Sequence, residues 1–161
     1  MPMNDAALTD GIIGRRIIGA LIDGFILGLV WLALHTVLWI LGFLTFGLGW
    51  YLATGLWVVP IAYIFIFVAS PGQATPGQAM VGLRVVDNAT LGRPSPAQAL
   101  VYALLYELSL WLGAVWLLVG LFTRRFRCLH DIVSGVLVAR ADALTLNPDT
   151  AWTLAGGPYP R

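Results

Sequence analysis

The residues best able to carry chemistry are a few charged side chains within apolar sequence. Asp23 is followed by sixty residues, 24–83, that contain no Asp, Glu, Lys or Arg, and Arg16 precedes it by seven positions. An ionisable group in a membrane-length apolar segment costs on the order of 3 kcal/mol or more, so it usually faces protein or water. Asp23 is therefore a candidate for pairing with a cation or for binding a proton.

Helical geometry decides which partners Asp23 and Arg16 can have. Seven residues bring both onto one helix face, but separate them by about 10.5 Å along the axis. Arg16 also leans toward the helix N-terminus, away from Asp23. Arg16 therefore needs another partner, and Asp23 needs its own compensation by a proton, a bound cation or another arginine. The arginine candidates are Arg84, Arg124, Arg125 and Arg127.

Glu107 and His35 are the remaining ionisable residues that could join Asp23 in a proton relay. Glu107 lies midway along a later apolar segment, where a hydrogen bond to a neighbouring Tyr or Ser is the structural alternative. His35 lies twelve residues after Asp23, about 18 Å along a helix and on a different face. We therefore expect His35 to be an interfacial or hydrogen-bonded side chain rather than a neighbour of Asp23.

Other chemistries have little support in the sequence. Cys128, His130 and Asp131 are potential metal ligands, but their spacing matches no standard metal site, so no metal or cofactor is expected. No nucleophile–base motif or phosphate-binding loop is present, so we do not expect an enzyme. The nine Arg residues form only short clusters, which argues against nucleic-acid binding.

The composition indicates the elements that position these side chains. With 59% hydrophobic and 11% charged residues and a mean hydropathy of +0.85, the chain is predicted to be an all-α integral membrane protein. Ile17–Gly42 is a first span, about 39 Å long as a helix, and Trp50–Ala69 is a second, after a turn at 43–49. Ala97–Phe122 is a third apolar element.

Short polar segments connect and follow the apolar ones. Thr75–Gln78 and Ser95–Gln98 are capping boxes that predict helix starts. Leu83–Asp87 and Gly135–Ala139 have strand composition, and we expect them to pair on the cytoplasmic side. Residues 1–140 then form one membrane domain, and 141–161 are predicted to be a flexible C-terminal tail.

The arginine clusters predict the topology. Arg15 and Arg16 favour a cytoplasmic N-terminus by the positive-inside rule, and the cluster at 124–127 also favours the cytoplasm. If Ala97–Phe122 were one tilted span, Asp131 would lie a whole membrane away from Arg16. A re-entrant hairpin would instead return the cluster at 124–127, and Asp131 after it, to the side of Arg16.

Three segments of the chain resemble the signatures of the RDD family, small bacterial membrane proteins named for one Arg and two Asp. The segments are GRRIIGALID (14–23), GQATPGQAMVGLRVVD (72–87) and RCLHDIVSG (127–135). The resemblance assigns the family's three residues to Arg16, Asp23 and Asp131. Asp131 is then the natural partner of Arg16, and such a pair favours the hairpin. Gln78 and Val136 depart from the signatures, since Lys and Thr are common at those positions.

Two functions remain open. The resemblance implies transport, including cation/proton exchange, in which intramembrane carboxylates handle the ion. The alternative is an accessory subunit or assembly factor of a larger membrane complex, with the Arg/Asp triad as a structural clamp. Either way we expect contact with the lipid bilayer, location in the bacterial cytoplasmic (inner) membrane as a multi-pass protein, and a homo-oligomer or larger complex.

Overall fold

Two long apolar helical segments dominate the computed structural model, which describes residues 8–9, 11–111 and 128–145. The first is helix α1, Ile12–Leu44, with 33 residues. The second runs from Leu48 to Ala69 and comprises α2 (Leu48–Ala53), a 3-10 turn (Thr54–Trp57) and α3 (Val58–Ala69). Both segments are long and apolar enough to cross a membrane, and their bounds exceed the predicted ones by a few residues.

Glycines allow the two segments to pack closely where the chain reverses. Side chains at Gly42 and Gly49 have no room, because a Cβ atom at Gly42 would collide with the Trp50 ring and one at Gly49 with the backbone of α1. The turn itself uses a left-handed Gly47. The predicted turn at 43–49 is thereby shortened, since its first and last residues are helical.

The 3-10 turn at Thr54–Trp57 ends three residues before Pro60, which lies within α3. A proline ring collides with the carbonyl four residues earlier and removes one helical donor. Tightening to 3-10 geometry is a common way to accommodate such a break. The helix continues through Ala69 with the proline inside it.

A small sheet lies at one end of the helices, which we call the Arg16 end: the start of α1, the end of α3 and the start of α5. In chain order the elements here are α4 (Pro76–Met80), β1 (Leu83–Asp87), α5 (Pro96–Trp111), α6 (Leu129–Ser134), β2 (Val136–Arg140) and α7 (Ala141–Thr145). The strands pair antiparallel, with Val85 opposite Val138 and Asp87 opposite Val136.

The two faces of the sheet bury different apolar clusters. One face packs on the helices, where Val85 and Val138 meet Ile64 and Val68 of α3. The other is covered from both ends of the described chain, by a cluster of Leu8, Val86, Leu137, Ala139 and Leu144. Both ends therefore lie at the Arg16 end.

The short helix α7 corrects one predicted boundary. The flexible tail was predicted to begin at residue 141, yet Ala141–Thr145 is helical and Leu144 is completely buried. The reason is that β2 offers an apolar outer face that this segment covers. The remainder of the predicted tail, 146–161, lies outside the described residues.

The third apolar element is described only as far as Trp111. Helix α5 has 16 residues, or about 24 Å, and the Trp111 ring packs against Trp57, twelve residues before the end of α3. The chain is described again from Cys128, which is back at the Arg16 end beside Arg16. The predicted hairpin tip, and the Arg124, Arg125 and Arg127 cluster, lie outside the described residues.

Candidate functional site

Arg16 and Asp131 form the predicted ion pair. Arg16 Nη2 lies 2.7 Å from Asp131 Oδ2, with the Asp131 side chain completely buried and Arg16 only 17% exposed. The pair joins the start of α1 to α6, which are more than a hundred residues apart in sequence. Removing either partner would leave an uncompensated charge in the protein interior.

The first turn of α6 holds Asp131 in place. The Cys128 backbone N–H donates to Asp131 Oδ2 at 2.9 Å, and His130 Nε2 lies 3.4 Å from Asp131 Oδ1. An aspartate in the first turn of a helix is favoured by the helix dipole and by the free N–H groups there. Asp131 therefore both caps α6 and anchors Arg16.

His130 is enclosed by α5. Its ring packs edge-on against Tyr102 and Tyr106, with centroids 5.5 and 5.2 Å away, and Nδ1 lies 3.4 Å from Ser109 Oγ. Burial lowers the pKa of His130 and outweighs the neighbouring Asp131, which raises it. The imidazole is therefore neutral near pH 7.

The donor atoms of Cys128, His130 and Asp131 all lie within 4.8 Å of one another, a proximity that their sequence spacing did not suggest. Arg16 already supplies a positive charge there: Nη1 donates to Cys128 Sγ at 3.2 Å while Nη2 pairs with Asp131. Burial raises the pKa of the Cys128 thiol, although Arg16 opposes the shift. A metal cation would have to displace the guanidinium and deprotonate the thiol, so this donor set fits a metal poorly.

Asp23 is buried and has three hydrogen-bond donors rather than an arginine. The Tyr63 hydroxyl and the Gly77 backbone N–H each donate to Oδ1 at 2.8 Å, and the Thr75 hydroxyl donates to Oδ2 at 2.5 Å. Among the described residues, no Arg lies within ion-pair distance of Asp23. Arg124, Arg125 and Arg127, three of the four candidate arginines, lie outside the described residues.

Helix α4 brings two of these donors to Asp23. Thr75 and Gln78 form the predicted capping box: the Thr75 hydroxyl accepts from the Gln78 N–H, and the Gln78 side chain accepts from the Thr75 N–H. Gly77 then touches α1 directly, because a Cβ atom there would collide with the Gly19 carbonyl oxygen and lie 2.7 Å from the Asp23 carboxyl carbon. Only glycine permits this backbone approach.

A cavity of about 80 Å³ opens beside Asp23, between α1, α3, α4 and α5. Because a buried water needs roughly 10–15 Å³ of such space, the cavity has room for several waters. Its polar lining consists of Asp23, Tyr63, Thr75, Gln78, Tyr102, Tyr106 and Glu107. Among the described residues, the lining thus contains two carboxylates and no Arg, Lys or His.

The two predicted relay residues have different positions. Glu107 lines the cavity with Asp23, so the two carboxylates share one cavity. His35 instead stacks on Trp31, with ring centroids 4.0 Å apart, and does not line the cavity. Asp131 and Arg16 do not line it either; they lie beyond Tyr102, nearer the end of the bundle.

Sequence reasoning missed Tyr63, Gln78 and Tyr102. Gln78 was visible only as a capping residue, although its Nε2 also donates to the Tyr102 hydroxyl at 3.3 Å. Tyr63 and Tyr102 lie within apolar helical segments, and nothing in the sequence distinguishes them from the apolar residues around them. Their roles depend on which helices are neighbours, and the sequence does not specify that.

The chain was also compared with known proteins. The model of the RDD family matches residues 11–135, a stretch that includes Arg16, Asp23 and Asp131. The chain belongs to the RDD family. No curated protein and no solved structure gave a match.

The RDD assignment gives the two departures from the family signature a structural setting. Gln78 lies in the cavity of this RDD protein, where it bridges α4 and α5. Val136 is completely buried as the first residue of β2 and contributes to the apolar cluster beneath the sheet. The first departure leaves the cavity lining without a positive charge, and the second adds apolar surface to the core.

Proposed function

We propose that this RDD protein is a small transporter that moves protons or monovalent cations, with Asp23 as the ion-handling group. The observation that carries the proposal is the cavity within the helices: it has room for several waters, its surface is mostly apolar, and its polar lining includes Asp23 and Glu107 and, among the described residues, no cationic side chain. Intramembrane carboxylates that face such a space mark ion pathways and proton relays in membrane proteins. The proposed movement of an ion requires neither an enzymatic reaction nor a cofactor.

The charges around the cavity support assigning the ion-handling role to Asp23. The nearest guanidinium along α1, that of Arg16, is committed to Asp131 at 2.7 Å. Asp23 and Glu107 therefore face the cavity with two negative charges when both are ionised. Mutual repulsion in a low-dielectric space favours uptake of a proton or a cation by one of them.

Flux measured on purified protein in liposomes tests the transport proposal. An outward gradient of Na⁺ or K⁺ is imposed, and the internal pH is followed with a trapped dye. We expect cation-dependent proton movement that Asp23→Asn abolishes and Glu107→Gln slows. Asp142→Asn, which changes an exposed carboxylate outside the cavity, is the matched control and retains full flux. Absence of flux from the intact wild-type protein would remove the transport function.

The second candidate is an accessory subunit or assembly factor, and the exposure of α1 favours it. Residues 28–34 are exposed on every side of the helix, over two full turns. A helix with contacts mainly at its two ends leaves apolar surface that lipid or other protein helices can cover. In this function, Arg16, Asp23 and Asp131 hold the elements together and handle no ion.

Mild solubilisation and quantitative mass spectrometry would discriminate the two functions. An accessory subunit predicts a larger partner recovered in a fixed stoichiometric ratio, together with liposomes that show no flux. A transporter predicts flux without any partner. Asp131→Asn would reduce recovery of the partner complex, whereas Asp23→Asn would abolish flux at unchanged recovery.

We propose further that the protein resides in the bacterial cytoplasmic membrane with a cytoplasmic N-terminus and forms a homo-oligomer. Arg15 and Arg16 at the start of α1 support the orientation. Gly24 and Gly28, four residues apart, have open space where a side chain would project, which supports close approach of a second α1 helix. Cross-linking in native membranes tests this: Gly28→Leu should reduce the cross-linked dimer, and an unchanged yield would exclude this helix face.

A further inference from the structure

We propose that the cation accepted by the cavity is a small primary alkylammonium ion, in preference to a bare alkali cation. The inference rests on the proposed transport function and assigns the substrate class of the same cavity. Two features of the lining carry it: the hydrogen-bond acceptors that remain free, and the apolar surface around them.

The carboxylate of Asp23 is mostly committed to the protein. A carboxylate has about four lone-pair sites. Tyr63 and Gly77 each donate to Oδ1 at 2.8 Å, and Thr75 donates to Oδ2 at 2.5 Å. One acceptor site therefore remains, on Oδ2, so Asp23 offers a ligand its negative charge and a single hydrogen bond.

Glu107 and Tyr106, neighbours on α5, supply the other free acceptors. The Glu107 side chain forms a hydrogen bond with Trp111, which leaves other lone pairs of its carboxylate free. The Tyr106 hydroxyl forms no hydrogen bond with the described residues, whereas the other two tyrosines of the lining are hydrogen-bonded. With the remaining site on Asp23, the cavity thus presents three acceptor groups, which matches the three N–H donors of a primary ammonium group.

The aliphatic part of the lining consists of Ala20, Gly24, Leu27, Ile64 and Leu110. A bare alkali cation needs several oxygen ligands to replace its hydration shell, and this surface does not provide them. An alkyl chain instead gains about fourfold in affinity for each methylene that it transfers from water to such a surface. The apolar lining therefore favours a cation that carries an alkyl group, and Na⁺ or K⁺ would bind more weakly.

The volume of the cavity limits the length of that alkyl group. A space of about 80 Å³ holds several waters. Propylammonium is about as large as four waters and fits this space. Tetrapropylammonium is too large, and it has no N–H to donate to the three acceptors.

Displacement of radiolabelled ethylammonium from the full chain in nanodiscs tests the substrate class, with empty nanodiscs as the background. We expect affinity to rise about fourfold for each methylene from methylammonium to propylammonium. Na⁺ and K⁺ should compete less well than propylammonium, and propanol, its neutral analogue, and tetrapropylammonium should not compete. Equal affinity along the series, or better competition by Na⁺ than by propylammonium, would overturn the proposal.

Substitutions test the two parts of the lining separately. Glu107→Gln and Tyr106→Phe should each weaken ethylammonium binding about tenfold, since each removes an acceptor for a charged donor. Leu27→Ala enlarges the apolar part and should shift the preferred chain length to longer ammonium ions. Leu29→Ala, on the same helix but 53% exposed and outside the lining, is the matched control and should leave the preference unchanged.

Each outcome decides the proposal. Unchanged affinity in both Glu107→Gln and Tyr106→Phe would overturn it, as would the same chain-length preference in Leu27→Ala and Leu29→Ala. Liposome flux of Na⁺ or K⁺ without any displacement of ethylammonium would also overturn it and leave transport intact. Saturable ethylammonium binding without flux would remove the transport function and support the assignment of the ligand.

Discussion

At the residue scale, Asp23 and Asp131 differ in the groups that stabilise their carboxylates. Asp131 pairs with Arg16, whereas Asp23 receives hydrogen bonds from Tyr63, Thr75 and Gly77. A buried ion pair has a fixed charge state, while a carboxylate held by neutral donors can gain or lose a proton without leaving another charge unpaired. This difference supports assigning a structural role to Asp131 and the ion-handling role to Asp23.

The structural role of the ion pair predicts a large loss of stability on breaking it. Asp131→Asn leaves Arg16 buried without its carboxylate and should lower the free energy of unfolding by about 3–5 kcal/mol. The double variant Arg16→Met with Asp131→Leu should lose less than the single one, since neither charge remains. Asp142→Asn, at an exposed pair, is the control and should give no measurable change. Denaturant titration in detergent measures all three, and equal stability of Asp131→Asn and wild type would refute the clamp.

The neutral His130 predicts a loss of stability in acid. Burial lowers its pKa, so the unfolded chain binds a proton first as the pH falls. Its contribution is fully present above the ordinary histidine pKa of about 6.5 and is lost as the pH falls through the lower folded value. The unfolding temperature, measured from about pH 8 to about pH 5, should therefore change less with pH in His130→Gln than in the wild type.

His35 provides the matched control, because His35 and His130 are the only two histidines of the chain. His35→Gln should keep the acid dependence of the wild type. If the loss of stability in acid is unchanged in His130→Gln, a group other than His130 causes it.

At the element scale, the sequence predicted the starts of helices better than it predicted which helices contact each other. The two capping boxes specify the starts of α4 and α5, since they bind their own backbone N–H groups. Helix rise excluded Asp23 as the partner of Arg16, and the resemblance to the RDD family pointed to Asp131 instead. The donors to Asp23 did not, because Tyr63 reaches it only through the packing of α3 near α1, and apolar periodicity does not identify neighbouring helices.

The contact between α4 and α1 predicts a strict requirement for glycine. Gly77→Ala would force its Cβ into the Gly19 carbonyl and should cost about 1–3 kcal/mol or more by overpacking. Gly14→Ala, where no atom lies within 4 Å of the added carbon, is the control and should be neutral or slightly stabilising. Urea unfolding compares them. Equal stabilities would show that α4 does not pack on α1.

The burial of Leu8 and Leu144 in one cluster predicts the topology. Because both lie under the same sheet, reporters fused to the two ends of the chain should be active on the same side of the membrane. Composition alone left one tilted span and a re-entrant hairpin both open, since 26 apolar residues suit either. Reporters active on opposite sides would exclude the arrangement in which Leu8 and Leu144 pack on the same face of the sheet.

At the scale of the whole molecule, the Arg16 end is the more closely packed part. The sheet, α6 and the ion pair join both ends of the described chain, while residues 28–34 of α1 are exposed on all sides. The cavity lies between these two regions. In a membrane protein of the RDD family, the exposed apolar surface contacts lipid.

The central claim is that Asp23 exchanges a proton in the cavity, and infrared titration tests it most directly. The carbonyl stretch of a protonated carboxyl group is followed in reconstituted protein while the pH is raised or Na⁺ is added. The test is made in Glu107→Gln, so that Glu107 contributes no band. We predict a band that disappears on both treatments in Glu107→Gln, with or without Asp142→Asn, and that is absent when Asp23→Asn is added. A band that persists after Asp23→Asn is added, or its absence from Glu107→Gln, would contradict the claim.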